Sequence, residues 1–441
     1  MSGGAGKRLE AAAWWAGMAG VLYVASTLVK RRRRKKEVPP LDVRLGLTEP
    51  LSTTTTTTTT KIRWAFLGAG RVAHDFANAL KTVPGAVLHC VATRSASPRC
   101  EAFRKLHGFS KAYESYSEAL ADPEVDVVYL SAMHSERLEH ASAILRAGKH
   151  AVVEKPIACS RADAARLFEI AAEKKLFLME GMWTRFFPAV ERARHVIDSG
   201  EIGLVTAVLS DFGFDAADSG KYPKDFGDAS DGDPIYHAAI GGGALLWTGP
   251  YPIAAGIMPF GAVEPAALAA AGVADAGRTG VELSLSIALS YASPGGGEGP
   301  AGVAESSGCP ARGATVSLFT GIDSETVETT TYVGQRGRVT VLSPGHCPTK
   351  LLVQVKKPGR GTTEDTHFDF GLPPLPRSAA KTANGGYFNY PNSLGFAYEA
   401  AAVMRCLHAG LTECPQYTTA ECLRTLDIID KARAQVREVR A

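Results

Sequence analysis

Between residues 61 and 182, short apolar runs alternate with amphipathic stretches. Apolar runs of this length predict buried strands, and the stretches between them have the spacing of helices. A repeated strand–helix order predicts a parallel, doubly wound sheet. The predicted strands lie at 62–67, 86–93, 125–131, 150–154 and 177–179, with helices at 72–80, at 137–147 and from Ser160 onward.

The second half has a different pattern, in which strands follow one another without helices between them. Such an order predicts an antiparallel sheet, so we expect fold class α/β plus α+β. The doubly wound domain would cover 61–182, and an α+β domain with an open, largely antiparallel sheet would cover 183–441. The predicted strands are 205–214, 281–291, 314–319, 328–333 and 337–342, followed by helices at 394–409 and from Thr418 onward. The Gly/Pro-rich residues 293–313 predict a flexible surface insert.

The first sixty residues have neither pattern. Residues 11–29 carry no charge, and seven basic residues follow at 30–36. A membrane-spanning helix needs about 20 mostly apolar residues, and its basic flank stays in the cytosol. We therefore predict a single N-terminal membrane anchor at 11–29 with the folded body on the cytosolic side. The alternative is a targeting peptide that is removed after import into an organelle. Residues 37–60, which include eight consecutive threonines, predict a spacer, so that 1–60 form anchor or targeting segment and linker.

Composition narrows the function classes. The 441 residues have a net charge of +3, but residues 1–60 alone contribute +6, so the remainder is slightly acidic at −3. A nucleic-acid-binding protein needs a basic face on its body, and we expect no nucleic-acid partner. The eight cysteines form no C-x-x-C pair and are too dilute for a disulfide scaffold. No P-loop, no G-x-S-x-G and no metal-ligand triad is found, so we expect no metal site.

A glycine-rich turn separates the first predicted strand from the first helix. Gly68, Gly70 and Ala73 make a G-x-G-x-x-A motif, in which the first glycine permits the turn and the second admits a pyrophosphate. Helix N–H groups then attract the phosphates. The strand–turn–helix context makes this a dinucleotide-binding motif. The predicted cofactor-binding residues of the turn are Gly68, Ala69, Gly70, Arg71, Val72 and Ala73.

The end of the second predicted strand favours NADP over NAD. NAD sites usually carry Asp or Glu here for the ribose 2′-hydroxyl, but this chain has Thr93, Arg94 and Ser95. A guanidinium and two hydroxyls suit a 2′-phosphate. The alternative is that Arg94 only solvates a loop. We expect NADP as the cofactor, with NAD less favoured.

Five ordered strings resemble the glucose–fructose oxidoreductase and inositol dehydrogenase superfamily. They are GAGRVA, AGKHAVVEKPIA, MEGMWTRFFPA, IGGGALLWTGPYPI and GFAYEAAAVMRCLHAG. Within the superfamily the chain is most similar to dimeric dihydrodiol dehydrogenases and NADP-dependent D-xylose dehydrogenases, from about Lys61 to the C-terminus. The resemblance implies a Rossmann domain and an α+β domain whose sheet forms a homodimer interface, with a small-molecule sugar or diol as substrate.

The resemblance also implies two catalytic residues, Lys155 of the EKP string and Tyr251 of the GPY string. Oxidising a secondary alcohol needs a base that takes the hydroxyl proton as the hydride leaves. Tyrosine normally titrates near 10, and a neighbouring ammonium lowers that value, so we expect Lys155 to lower the pKa of Tyr251. Glu154 and Lys155 are also predicted to line the cofactor site. The alternatives are a surface lysine and a core tyrosine.

Two departures from the family pattern bear on this expectation. The family has an aspartate four residues before the tyrosine, where this chain has Trp247, whose indole cannot accept a hydrogen bond from a hydroxyl. Either the substrate differs, or another carboxylate substitutes, or catalysis is weakened. The family's usual Thr-Pro is replaced by Ala132-Met133, followed by His134. His134 either assists proton transfer or only hydrogen-bonds within its loop.

These residues lead to one expected function with an alternative. We expect an NADP-dependent oxidoreductase that moves hydride between the nicotinamide and a CH–OH carbon of an aldose, polyol or trans-dihydrodiol. Its activity would resemble D-xylose 1-dehydrogenase or trans-1,2-dihydrobenzene-1,2-diol dehydrogenase. Trp247 favours the alternative, a catalytically weakened, membrane-tethered NADP-binding sensor or assembly partner. In the family, MWTRFFP lies near the substrate, although it could equally be interdomain core. The predicted substrate residues are Trp183, Arg185, Phe186, Trp247 and His134.

Overall fold

Six parallel strands form the first sheet in the computed structural model, which describes residues 38–51, 61–216, 232–292, 313–357, 359 and 361–438. The strand order is β3-β2-β1-β4-β5-β6. This confirms the predicted doubly wound sheet, whose order reverses between β1 and β4, where ligands bind in such folds. The strands are β1 (Ile62–Leu67), β2 (Ala86–Ala92), β3 (Lys111–Tyr113), β4 (Val127–Leu130), β5 (His150–Glu154) and β6 (Leu178–Gly181).

Helices connect these strands and close the chain. Their N-termini are set by short polar residues: the Ser160 side chain accepts from the Asp163 N–H at 3.2 Å. Thr418 and Glu421 form a capping box, each side chain bonded to the other's backbone N–H. The helices are α1 (Leu41–Arg44), α2 (Arg71–Leu80), α3 (Pro98–His107), α4 (Tyr116–Ala121), α5 (Arg137–Arg146), α6 (Arg161–Lys174), α7 (Pro188–Asp198), α8 (Ala244–Trp247), α9 (Pro250–Ile257), α10 (Phe396–His408) and α11 (Thr419–Glu438).

Eight strands form the second sheet, in the order β14-β13-β12-β11-β7-β10-β9-β8. Every neighbouring pair is antiparallel except β7 and β10. This confirms the predicted open, largely antiparallel sheet. The strands are β7 (Val205–Gly213), β8 (Ala267–Ala274), β9 (Glu282–Tyr291), β10 (Ala314–Gly321), β11 (Thr330–Gly334), β12 (Gly337–Val341), β13 (Lys350–Lys356) and β14 (Thr363–Asp369).

Strand β8 shows why some strands escaped prediction. Its sequence, ALAAAGVA, contains one β-branched residue and no clear alternation. It extends because it pairs with β9 over its whole length and receives α11 on one face. Tertiary pairing here overrides a weak local preference.

One face of the second sheet is covered and the other is open. Helices α8, α9 and α11 pack on the covered face. On the open face, Leu209 and Val273 are 52% and 58% exposed among small side chains. A shallow depression of about 580 Å³ on this face is lined by Leu209, Asp211, Ala269, Ala271, Ser286, Ala288, Ser317 and Phe319, among others.

Residues 40–48, which the composition predicts as part of a spacer, pack on the body, and we call them the clip. Asp42 is fully buried and accepts hydrogen bonds from Arg405 at 2.6 and 3.0 Å. Thr48 and Gln416 donate to the same carboxylate, and Glu191 accepts from the Leu41 N–H at 3.1 Å. Composition did not predict this docking because the residues that bind the segment, Glu191, Arg405 and Gln416, lie far away in the chain.

The predicted anchor at 11–29, the threonine tract at 53–60 and the insert, apart from its last residue, lie outside the described residues. Within the described part of the chain, no helix combines the length and apolar character that crossing a membrane requires.

Candidate active site

The turn between β1 and α2 has the geometry of a pyrophosphate cradle. Gly68 has φ +108°, and a Cβ there would lie 2.5 Å from Ser131 Oγ, so only glycine fits. In front of Gly70 the space is open, and no side chain caps α2. Ala73 is fully buried, as close helix–sheet packing requires. The free helix N–H groups and the open space fit a dinucleotide phosphate.

The rest of the turn lies at the same sheet edge. Ala69 is buried, Val72 is half-buried and Arg71 is exposed. Tyr390, from the segment before α10, hydrogen-bonds to Arg71 through its side chain. The structure therefore brings together the glycine turn and a tyrosine that lies over 300 residues away in the chain.

The residues after β2 surround the position expected for the ribose. The Thr93 hydroxyl donates to the Ser95 carbonyl at 2.8 Å. The Arg94 guanidinium is 61% exposed and contacts the Glu136 carboxylate. Arg99, which sequence reasoning missed, donates from Nε to the Ala69 carbonyl at 3.1 Å. Two guanidinium groups thus flank this end of the crevice.

Lys155 follows β5 and faces Tyr251. Its Nζ donates to the Trp247 carbonyl at 2.7 Å and lies 4.6 Å from the centroid of the Tyr251 ring. Burial lowers the pKa of Lys155 to about 8, against the attraction of Glu154. Glu154 itself points into the interior, where its carboxylate accepts from the Tyr129 hydroxyl at 2.6 Å and burial raises its pKa. Glu154 is buried, and its carboxylate attracts the Lys155 ammonium.

The pKa of Tyr251 is raised well above its usual value, so the expected lowering is wrong for this state. Burial is the main cause, and the negative charge of Glu154 adds to it. The Lys155 ammonium lies over the ring face and donates to the Trp247 carbonyl. Trp183 Nε1 donates to the Tyr251 hydroxyl at 3.3 Å and opposes the shift.

Aromatic rings surround Tyr251. Trp183 stacks on Phe396 at 4.2 Å between centroids, with 19° between the planes. Phe212 lies edge-on to Tyr251 at 5.2 Å and stacks on His346 at 4.5 Å. Phe212 and His346 carry no motif and lie in the second half of the chain, so sequence reasoning missed them.

Trp247 and His134 lie together on the other side of Lys155. Trp247 Nε1 and His134 Nδ1 both donate to the Gly241 carbonyl, at 3.1 and 2.8 Å. Gly241 has φ +83°, and a Cβ there would lie 2.6 Å from the His134 Cβ. His134 is buried, and burial with the charge of Arg137 lowers its pKa well below the usual value. It is therefore a neutral imidazole whose Nδ1 proton is committed to Gly241.

Arg185 and Phe186 point into the interior. Arg185 is 1% exposed, donates to the Ala254 carbonyl at 2.6 Å and pairs with Glu421 at 3.1 Å. Phe186 is also buried. Of the predicted substrate residues, Trp183, Trp247 and His134 lie around Lys155 and Tyr251. Arg185 binds helix groups instead, because a buried guanidinium needs a carboxylate partner.

A segment that precedes α10 binds along α2, and we call residues 378–393 the strap. Asp75, fully buried, accepts from the backbone N–H groups of Asn389 and Tyr390 and from the Ser393 hydroxyl. Asn78 pairs with both backbone groups of Ala380 at 2.8 Å. The strap fixes Tyr390 beside the glycine turn. In the sequence, the only sign of this contact is the presence of Asp75 and Asn78 within the otherwise apolar pattern of α2.

Within the described residues, one cluster has the spacing of metal ligands, His89, Asp122 and Glu124. Lys111 Nζ lies 2.9 Å from both carboxylates. An ammonium group therefore neutralises this cluster, which lies apart from Tyr251 on β2 and the loop before β4.

Two family models match the chain. A model described as an oxidoreductase family with an NAD-binding Rossmann fold, GFO/IDH/MocA, matches residues 62–182. A model of the GFO/IDH/MocA C-terminal domain matches residues 190–320. Together they span the first sheet and the strands β7 to β10 of the second.

Characterised relatives are similar over most of the chain. The trans-1,2-dihydrobenzene-1,2-diol dehydrogenase of Sus scrofa is 31% identical over 376 residues, which are 85% of this chain and 97% of the relative. The enzyme of the same name from Homo sapiens is 29% identical over the same shares.

Solved structures share the fold. A 3-ketoreductase from Actinomadura kijaniata, solved with NADP and TDP-benzene, has a TM-score of 0.63 at 23% identity and covers 86% of this chain and 98% of its own. Levoglucosan dehydrogenase, solved with NADH and levoglucosan, has a TM-score of 0.67 at 16% identity over the same shares.

Proposed function

The chain belongs to the GFO/IDH/MocA family of oxidoreductases, and from this premise we propose that it is an NADP-dependent dehydrogenase of ring alcohols. Family and relatives make it an NAD(P)-dependent oxidoreductase that acts on CH–OH donors. The proposed substrate is an aldose, a polyol or a trans-dihydrodiol. The proposed cofactor is NADP rather than NAD.

One observation carries this proposal. Lys155 and Tyr251, 96 positions apart, meet at the carboxyl edge of the parallel sheet, with Nζ 4.6 Å from the phenol ring centroid. That edge also holds the Gly68–Gly70 cradle. A proton-transfer group, a cation and a dinucleotide cradle in one crevice are what alcohol dehydrogenation needs.

The contacts of each residue suggest its role in the proposed reaction. When bound, the nicotinamide supplies the hydride acceptor or donor. The turn Gly68–Ala73 holds the phosphates, and Tyr251 exchanges the proton of the substrate oxygen. Lys155 is oriented by the Trp247 backbone carbonyl, and its charge lies over the Tyr251 ring. Trp183 and the rings around it exclude water from the phenol.

The proposed substrate class is based on the aromatic residues around Lys155 and Tyr251. Trp247 is half-buried beside Lys155 and Phe212 lies edge-on to Tyr251, and a site lined by aromatic rings suits the apolar faces of sugars and dihydroarenes. Relatives named dihydrodiol dehydrogenases and a structural neighbour named levoglucosan dehydrogenase act on ring alcohols of these two kinds. Since those relatives are enzymes, the alternative of a sensor or assembly partner has no support from them.

The preference for NADP rests on the cations after β2. Arg94 and Arg99 lie at the strand end where NAD enzymes usually carry a carboxylate. A 2′-phosphate would take the place of Glu136 beside Arg94 and form charge-assisted hydrogen bonds. Thr93 and Ser95 would supply hydroxyls to the same phosphate.

We also propose a homodimer through the open face of the second sheet. That face carries small side chains with exposed Leu209 and Val273. A flat surface of this kind can be self-complementary about a twofold axis, and covering it removes apolar area from water.

Two further predictions from the sequence remain proposals. One is the domain division at 182/183. The other is the membrane anchor at 11–29 with the body on the cytosolic side, whose alternative is a targeting peptide removed after import, and membrane fractionation tests it.

The test of function uses the full chain in detergent. NADPH and NADH binding are titrated by nicotinamide fluorescence, and aldoses, polyols and trans-dihydrodiols are screened for reduction of NADP. We expect turnover on at least one class, and loss of turnover with cofactor binding intact in Tyr251→Phe. Tight NADPH binding without turnover on any of the three classes would refute the dehydrogenase.

A further inference from the structure

Tyr251 needs a proton acceptor that the predicted site residues do not supply. Burial and the charge of Glu154 hold its pKa high, and Lys155 is bonded to the Trp247 carbonyl. Position 247 carries an indole, which has no lone pair available to accept a proton. His134 is a poor proton acceptor, because burial and the charge of Arg137 hold its pKa well below the usual value, and its ring packs against Trp247 at 5.0 Å between centroids.

A second imidazole lies next to Tyr251. His346, in the loop between β12 and β13, has its ring centroid 5.6 Å from that of Tyr251. Phe212 supports both rings, stacked on the imidazole at 4.5 Å and edge-on to the phenol at 5.2 Å. Trp183, which donates to the Tyr251 hydroxyl, lies 6.1 Å from the same imidazole. His346 and the reacting hydroxyl thus share one aromatic pocket.

Glu328 fixes the tautomer of this imidazole. Its Oε2 lies 2.9 Å from His346 Nδ1, and an ionised carboxylate only accepts, so Nδ1 carries the proton and Nε2 keeps its lone pair. The neighbour of Nε2 is Cys347 Sγ at 3.4 Å. Because burial raises the pKa of Cys347, that group stays a thiol, a weak donor that leaves Nε2 basic.

The loop that carries Glu328 is held in an uncommon conformation. Glu328 has φ +54°, which is costly for a residue with a side chain. Asp211 on β7 stabilises it by accepting from the Glu328 and Thr329 N–H groups at 2.7 and 3.1 Å. Strand β7 thereby orients both Glu328 and Phe212, and through them His346.

We infer that Glu328 and His346 form a proton relay that serves Tyr251, an inference that rests on the proposed dehydrogenase function. During alcohol oxidation the substrate hydroxyl proton moves to the Tyr251 oxygen as the carbinol carbon gives up its hydride. The original phenol proton moves to Nε2 of His346, directly or through one water. The resulting imidazolium, stabilised by Glu328, releases the proton to solvent, to which His346 is 12% exposed. Reduction runs the same path backwards.

His346 is therefore a positioning and relay residue that acts through Tyr251. The titratable groups around the imidazole are Glu328, Cys347 and Tyr251, and Lys155 contacts the Tyr251 ring. The relay supplies the carboxylate that the family pattern places at position 247.

The first test needs no turnover. The full chain in detergent, without cofactor, is labelled with ¹⁵N-histidine and ¹³Cζ-tyrosine, and the signals are assigned with His346→Gln and Tyr251→Phe. We expect His346 in the Nδ1–H tautomer and a mixture of tautomers in Glu328→Gln. The Tyr251 signal should change with pH in the unaltered chain, and that change should vanish in His346→Gln. An Nε2–H tautomer, or a Tyr251 signal that ignores His346, would overturn the relay.

The second test measures turnover. General acid–base groups contribute about 10²- to 10⁴-fold, so we expect His346→Gln to lower kcat by at least about 100-fold with cofactor affinity unchanged. Added imidazole should restore part of kcat in His346→Ala, which a packing defect would not allow. The matched control is His89→Gln, which removes an imidazole paired with Asp122 at 2.8 Å, remote from Tyr251. It should leave kcat within about twofold.

The outcomes separate the relay from the function beneath it. Turnover that is lost in Tyr251→Phe but kept in His346→Gln would overturn the relay and leave the dehydrogenase standing. An unaltered chain without turnover on any CH–OH substrate would refute the dehydrogenase itself.

Discussion

Replacing Asp42 tests whether the clip is part of the folded body. The side chain is fully buried, and its carboxylate receives two hydrogen bonds from Arg405 and one each from Thr48 and Gln416. Asp42→Ala leaves the Arg405 guanidinium, 8% exposed, without its counter-ion. Removing one partner of a buried pair costs about 3–5 kcal/mol. The family model begins at residue 62, so the clip is an addition outside the matched region.

The same carboxylate gives a pH signature. Burial alone would raise the pKa of Asp42, but the hydrogen bonds and charge of Arg405 outweigh it and the pKa is lowered. A lowered folded-state pKa stabilises the fold above the unfolded value, about 3.9, and this stabilisation is lost as the pH falls through the folded value. The stability gap between the unaltered chain and Asp42→Asn should therefore be constant from about pH 5 to 8 and shrink below about pH 4.

The assay is urea unfolding of the full chain combined with trypsin digestion at Arg44. If the clip detaches locally in Asp42→Ala, cleavage at Arg44 accelerates and the global loss is capped at the clip's docking free energy. Glu49→Ala, which removes an exposed carboxylate directly after the clip, is the matched control and should change stability by less than about 0.5 kcal/mol. Asp42→Ala with stability within that range and unchanged protection of Arg44 would refute the reasoning.

Three further predictions concern the cofactor, the pH profile and the dimer. Glu136→Gln frees Arg94 from an exposed ion pair worth about 1 kcal/mol or less. By fluorescence titration, the variant should therefore bind NADPH up to about fivefold tighter than the unaltered chain and bind NADH as the unaltered chain does. Equal tightening of both cofactors would contradict the 2′-phosphate site. Because the pKa of Lys155 is lowered to about 8, its positive charge is lost above that pH, and kcat should fall there in a pH–rate profile, whereas a Lys155→Met variant, low throughout, should show no such limb. Leu209→Arg should convert the homodimer to monomers in sedimentation velocity, whereas Leu106→Arg, at an equally exposed position on α3, should not; a dimer kept in Leu209→Arg would exclude the open sheet face.

The parts of the site that the sequence predicted are those that a local pattern encodes. The Gly68–Ala73 turn requires glycines at fixed spacing because Gly68 has a positive φ and lies close to Ser131. Six consecutive residues are therefore enough to predict its function. The parallel sheet follows from strand–helix periodicity for the same reason. Lys155 and Tyr251 were predicted as catalytic residues because they lie in sequence strings that resemble those of a known family.

The parts that the sequence did not predict depend on contacts between distant residues. His346 approaches Tyr251 only because β7, β11 and β12 pair side by side and carry the intervening loops to one end of the sheet. The interior position of Arg185 depends on Glu421, 236 positions later. The clip depends on Arg405 in the same way. No local pattern marks these residues, because each is selected by a partner that the fold supplies.

The resting protonation of Tyr251 bears on the working direction of the reaction. A phenol whose pKa is raised is neutral at physiological pH, and a neutral phenol is the form that donates a proton to a carbonyl oxygen, so reduction can begin from the resting site. Oxidation must first move that proton to an acceptor. With Trp247 at the family's aspartate position and Lys155 committed to a carbonyl, that acceptor is His346. The relay therefore connects the resting phenol to solvent. Because reduction runs the same path backwards, His346→Gln should lower kcat/KM for oxidation and for reduction by the same factor at a given pH.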